Sequence, residues 1–140
     1  MSQTPIREEG SQTMSTNPSP SLAGRRVLIV EDEYFLADDL SQAVVQLKAE
    51  VLGPVATCED AFDLLSTGEQ IDLAVLDINL EGEAVFPVAD TLIEQGVPFL
   101  FATGYNQAAI PAQYQQVLRW EKPFAPEALA QALSIIMRYR

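Results

Sequence analysis

Three short runs in this chain are apolar at every position rather than at every second one: Val27-Leu28-Ile29-Val30, Leu73-Ala74-Val75-Leu76 and Pro98-Phe99-Leu100-Phe101-Ala102. A strand with one wet face alternates. A strand that is apolar throughout is buried on both faces, and that requires a layer of helices above and below the sheet. The intervening segments supply them. Between Tyr34 and Lys48 the residues Phe35, Leu36, Leu40, Ala43, Val44 and Leu47 recur at helical spacing. Glu59–Ser66 reads as a short helix ended near Gly68, and Val85–Glu94 as a helix closed by Gly96 with Pro87 tolerated in its first turn. Pro126–Tyr139 opens on a first-turn proline and places Leu129, Ala132, Leu133, Ile136 and Met137 on one face. Two weaker strands complete the pattern, Val55–Thr57 after the Gly53-Pro54 break and Val117–Trp120. Residues 73 to 78 make the third strand. A helix over Gln107–Gln116 is compromised by Pro111. Strands alternating with helices give an α/β fold with a parallel sheet and right-handed crossovers.

Composition narrows what such a fold can do. Twenty acidic residues against eight basic ones leave a net charge of −12. This excludes the basic patch that nucleic acids need and suits a cation or a basic partner. No histidine is present, so the usual general base and the commonest zinc ligand are missing. A metal would have to be held by oxygen, which favours Mg²⁺, Ca²⁺ or Mn²⁺. The single cysteine, Cys58, cannot form an internal disulfide and fits a reducing cytosol. No apolar run is long enough to span a bilayer, and the N-terminus has no apolar signal core. Residues 1–23, rich in Ser, Thr, Pro and Gln without periodicity, read as a flexible arm preceding a domain at 24–140.

In a doubly wound sheet, ligands bind at the C-terminal ends of the strands, near the switch point of strand order. The first strand ends in Glu31-Asp32, the third in Asp77, the fourth in Thr103-Gly104 and the fifth in Glu121-Lys122-Pro123. Each has an ordinary reading by itself. Acids after a strand suit the first turn of the next helix, Asp77 or Thr103 suits a turn, and a lone lysine is usually solvated. Together on one edge they make a different object. Adjacent carboxylates repel and raise each other's pKa unless a cation lies between them. A hard cation and Lys122 would neutralise phosphoryl oxygens, Thr103 would hydrogen-bond one, and a carboxylate could serve as nucleophile. Asp77, standing singly at the end of the central apolar strand, is the best nucleophile candidate.

These motifs closely resemble the receiver domain of two-component response regulators over about residues 25–140. VLIVEDE resembles the acidic-pair motif, with Glu31 where many members carry Asp. LAVLDINL resembles the phosphoacceptor strand, Thr103 matches the family's hydroxyl, and KPF its lysine and proline. The resemblance implies a flavodoxin-like sheet of five parallel strands, order 2-1-3-4-5, with helices on both faces; Pro111 makes the fourth helix irregular or mobile. It implies Mg²⁺, with Mn²⁺ the alternative the oxygen donors allow, held by Asp32, Asp77 and the main-chain carbonyl of Asn79, with Glu31 acting directly or through water. It also implies a cis Lys122–Pro123 bond and phosphotransfer to Asp77 from a sensor histidine kinase or a phosphotransfer protein. PFLFATGY resembles the FAT GUY subgroup, often stand-alone.

Two features depart from the family. Its switch aromatic, three residues before the lysine, is Arg119 here, and alternation points the adjacent Trp120 the other way. Either Tyr105 substitutes in coupling to Thr103 or the switch works differently. The segment 105–116 also departs from a regular helix, and is expected to be mobile and to order on phosphorylation. With no output domain after residue 140, the expectation is a cytoplasmic monomer or weak dimer that docks on a downstream protein, not on nucleic acid or membrane. The weak fourth-helix region and the SIIMRYR tail are the candidate surfaces, although Ile135 and Ile136 also suit core packing. Beyond self-phosphorylation and slow self-dephosphorylation no enzyme activity is expected. A haloacid-dehalogenase-like phosphatase would need an acid where Asn79 stands, and a pseudo-receiver would not keep the acid, hydroxyl and lysine set.

Overall fold

The structure, a computed structural model, describes residues 19–104 and 110–139. Five strands form one parallel sheet: β1 (Arg26–Val30), β2 (Glu50–Val55), β3 (Leu73–Asp77), β6 (Phe99–Thr103) and β7 (Arg119–Glu121), in the order β2-β1-β3-β6-β7. Counting only these five, the order is 2-1-3-4-5, as the resemblance implied. Among the described residues four α-helices cover the sheet: α1 (Tyr34–Gln46), α2 (Cys58–Leu65), α3 (Phe86–Glu94) and α4 (Pro126–Arg138).

The continuous apolar runs serve both faces. Val27, Ile29, Val75 and Leu100 pack with Leu40, Val44, Leu129 and Leu133 from α1 and α4. Leu28, Val30, Leu76 and Phe101 pack with Ala61, Val88 and Leu92 from α2 and α3. Burial on both sides fixes the three inner strands and carries their C-terminal ends to one edge. No described helix is long and apolar enough to cross a membrane.

Several boundaries move. The second strand is not Val55–Thr57 but Glu50–Val55, and it runs through Gly53-Pro54. It is an edge strand, where the missing N–H of proline can face away from the ladder. A bulge absorbs the extra residue, since pairing jumps from Leu28–Leu52 to Val30–Val55. Gly53 is required there: φ is +93°, and a Cβ would lie 2.8 Å from the Val55 nitrogen. Thr57 instead caps α2, its hydroxyl accepting from the Asp60 N–H at 3.0 Å.

An unanticipated hairpin, β4 (Asn79–Leu80) and β5 (Glu83–Ala84), follows β3. Its Glu81-Gly82 turn has both φ angles positive, at +53° and +91°.

The folded unit also begins earlier than residue 24. Leu22 is buried against the α1–α4 face, and its N–H donates to the Leu47 carbonyl at 2.6 Å. Within 110–116 the expected helix is a single 3-10 turn, Ala112–Tyr114, because Pro111 is extended and lacks an N–H. Tyr105 and the rest of 105–109 lie outside the described residues. In the tail, Ile136 packs inward as expected for core, whereas Ile135 is half exposed.

Candidate phosphoacceptor site

The C-terminal ends of β1, β3 and β7 bring Glu31, Asp77 and Lys122 together. β1 pairs with β3, so Glu31 and Asp32 follow the strand that flanks Asp77. Glu31 extends the sheet by one further bond, its N–H donating to the Val55 carbonyl at 2.9 Å. The chain then turns into α1, whose first turn contains no acid. Glu33 is the N-cap residue, yet its side chain makes no capping bond. The acids after β1 therefore make no capping hydrogen bond to the helix that follows. They face Lys122.

The Lys122 ammonium lies 3.1 Å from Glu31 Oε2, 3.1 Å from Glu33 Oε2 and 3.4 Å from Asp77 Oδ2. The Glu31 and Asp77 side chains are almost fully buried, at 1% and 4% exposure, whereas Glu33 is 62% exposed. Burial, and next the neighbouring Glu31 charge, push the Asp77 carboxyl up to about 8, with Lys122 opposing. For Lys122 burial pulls downward, but the charges of Glu31 and Asp77 outweigh it and the ammonium is raised above its usual range.

Positive charge is still short. One ammonium faces three carboxylates, and Asp32 adds a fourth. Oxygens of Glu31, Asp32 and Asp77 all lie within 4.8 Å of one another. Glu31 Oε1 is buried with no hydrogen-bond partner among the described residues. A buried carboxylate oxygen without a donor, in a cluster of like charge, is a place where a divalent cation fits. The oxygen-only donor set suits Mg²⁺ or Mn²⁺.

The surroundings agree with that use. Asp32, Asp77, Asn79 and Lys122 line an open depression of about 270 Å³ with Glu33, Glu81 and Gly104. Asn79 donates its N–H to Asp77 Oδ1 at 3.3 Å, and its side-chain oxygen accepts from the Gly82 N–H at 2.8 Å. The small hairpin thereby fixes the backbone just after Asp77. Thr103 ends β6 and is buried. Its carbonyl accepts from the Lys122 N–H at 2.8 Å, tying the hydroxyl-bearing strand to the lysine-bearing one. The Lys122–Pro123 bond is cis.

Arg119 is exposed and its guanidinium donates to Gln115 Oε1 at 3.3 Å, while Trp120 packs edge-on against Phe124 on the α1–α4 face. Neither occupies the other face. Tyr114 does, and the sequence did not single it out. Its ring stacks on Phe86 with centroids 4.9 Å apart and meets Phe101 edge-on at 6.0 Å. Its hydroxyl donates to Asp90 Oδ1. The available signal was an aromatic residue three positions after Pro111, but its partners lie 24 and 28 residues away.

No family model matches the sequence. The sensory transduction protein LytT of Bacillus subtilis is 35% identical over 112 residues, covering 77% of this chain and 46% of that protein. The chain thus spans about half the length of the curated relatives it matches. Among solved structures, SdrG from Sphingomonas melonis Fr1 is 34% identical with a TM-score of 0.71, covering 81% of this chain and 96% of SdrG. The BeF3-activated conformation of SdrG from Pseudomonas melonis Fr1 is 33% identical with a TM-score of 0.67, covering 83% and 98% of the two chains. The response regulator PhyR from Brucella abortus is 25% identical with a TM-score of 0.68, covering 85% of this chain and 49% of that one. The chain belongs to the receiver-domain family of response regulators.

Proposed function

We propose that this chain is the phosphoacceptor of a two-component phosphorelay, taking a phosphoryl group on Asp77 from a histidine kinase or phosphotransfer protein and signalling by docking on another protein. The observation that carries the reading is the buried Glu31–Asp77–Lys122 cluster, with its donorless Glu31 oxygen and its excess of negative charge. The BeF3-activated form of SdrG supports it, because beryllofluoride mimics a phosphoryl group on a carboxylate.

Asp77 Oδ attacks the phosphorus of a phosphoimidazole. The O–P bond forms as the N–P bond breaks, and the imidazole leaves with the electron pair. Lys122 and Thr103 stabilise the phosphoryl oxygens by hydrogen bonding. Asp32, Asp77 and the Asn79 carbonyl would hold Mg²⁺, with Glu31 beside it, and the bound cation would neutralise charge on the transferring group. Asn79 carries no proton to move, so the acyl phosphate has no built-in acid/base two residues away. On this reading the PFLFATGY stretch supports a FAT GUY receiver, and a cytoplasmic site of action goes with a kinase partner.

The test is incubation with Mg²⁺ and acetyl phosphate, followed by intact mass and donor turnover. One added phosphoryl, absent in Asp77→Asn, is the expected result. Rapid multiple turnover would instead indicate a phosphatase, and no adduct with no Mg²⁺ binding a pseudo-receiver.

A further inference from the structure

Resting on the phosphoacceptor reading, we infer that Glu33 is a positioning residue that competes with the incoming phosphoryl group for Lys122, and so sets how readily Asp77 is phosphorylated. An ammonium has three N–H donors. Those of Lys122 face three carboxylate oxygens, on Glu31, Glu33 and Asp77, at 3.1, 3.1 and 3.4 Å. No donor is left over for a new oxygen. The donor facing Asp77 is already aimed at the acceptor. A second can reach the phosphoryl oxygens only if Glu31 or Glu33 releases it.

The two differ in what release costs. The Glu31 side chain is 1% exposed and its other oxygen has no partner among the described residues, so losing Lys122 would leave a buried charge held only by the Glu33 N–H at 3.1 Å. Glu33 is 62% exposed, and water can replace the lysine at once. The Glu33 carboxylate has no capping role to keep it in place. It also lines both the depression beside Asp77 and an adjoining one of about 420 Å³ shared with Leu36 and Phe124, so it stands where a donor must approach.

The full chain is titrated with beryllofluoride at fixed Mg²⁺, following the bound signal by fluorine NMR, and with acetyl phosphate, following the adduct by intact mass. Glu33→Gln is expected to lower both half-saturating concentrations roughly fivefold at low salt. Glu81→Gln is the comparison: it removes the same charge from the same depression, but Glu81 makes no ion pair with Lys122 among the described residues. It is expected to give a clearly smaller gain. Equal gains would show that only bulk charge matters and would overturn the competition, as would unchanged or weaker binding in Glu33→Gln. If the wild-type chain takes neither ligand, the phosphoacceptor reading fails and this inference with it. If the wild-type chain takes both and Glu33→Gln matches it, only the inference fails.

Discussion

Two clusters on the same sheet solve the problem of buried polarity in opposite ways. Around Tyr114, one hydroxyl is surrounded by aromatic rings and by its own hydrogen-bond partners, Asp90 among them. Everything it needs comes from the chain. Around Asp77, four carboxylates gather near one ammonium, and one buried oxygen has no donor. The first cluster is complete and should answer mutation with stability. The second is short of positive charge by construction and should answer with binding and chemistry.

The largest expected effect belongs to the incomplete cluster. Asp77→Asn should abolish the phosphoryl adduct entirely while the chain remains folded, as read by intact mass and circular dichroism. A persisting adduct would move the acceptor elsewhere. The complete cluster should give the largest stability loss. Phe101 is fully buried between Phe86, Phe99 and Tyr114, and Phe101→Ala should cost about 3–5 kcal/mol in urea unfolding while retaining Mg²⁺ affinity.

A third test turns on pH. The Asp77 carboxyl is pushed up to about 8 by burial and Glu31. From about pH 4 upward the unfolded chain has released this proton while the folded chain still holds it. The unfolded state then binds fewer protons, so stability without Mg²⁺ should fall as pH rises toward 8, then level off. Asp77→Asn should flatten that slope and be more stable by about 1–4 kcal/mol above pH 8 in metal-free buffer. A flat wild-type profile would mean that Asp77 is not the strained group. The smallest effect is Tyr114→Phe, which keeps the stacking and loses the hydroxyl, costing about 1 kcal/mol with Mg²⁺ binding unchanged. A change in Mg²⁺ affinity there would show that the two clusters are coupled.

The same contrast explains what could be read from the sequence. Glu31, Asp32, Asp77, Thr103 and Lys122 were legible because a residue following an apolar run must stand at a strand end, and parallel strands share one edge. Strand order came from the resemblance to receiver domains and not from the apolar runs. Glu33 was not legible, since an acid before a helix is ordinarily spent on that helix, and only its missing capping bond and its ion pair with Lys122 show otherwise. The Tyr114 cluster was hidden by distance along the chain, as its partners lie on α3 and β6. Strand β2 was misplaced because Gly53-Pro54 is ordinarily a terminator, and only its edge position with a bulge makes it tolerable.

The Leu22 anchor has a practical consequence. Leu22 is tied to Leu47 at the C-terminal end of α1, and Ser19 and Ser21 lie beside Met137 and Arg138 at the end of α4. Both points sit at the pole where β1 begins. The acid cluster sits at the other, about 20 Å away along the 13 residues of α1. A label, tether or surface linkage introduced near Ser19 or near Arg138 would leave the Asp77 edge facing outward, and the two attachment points are interchangeable neighbours.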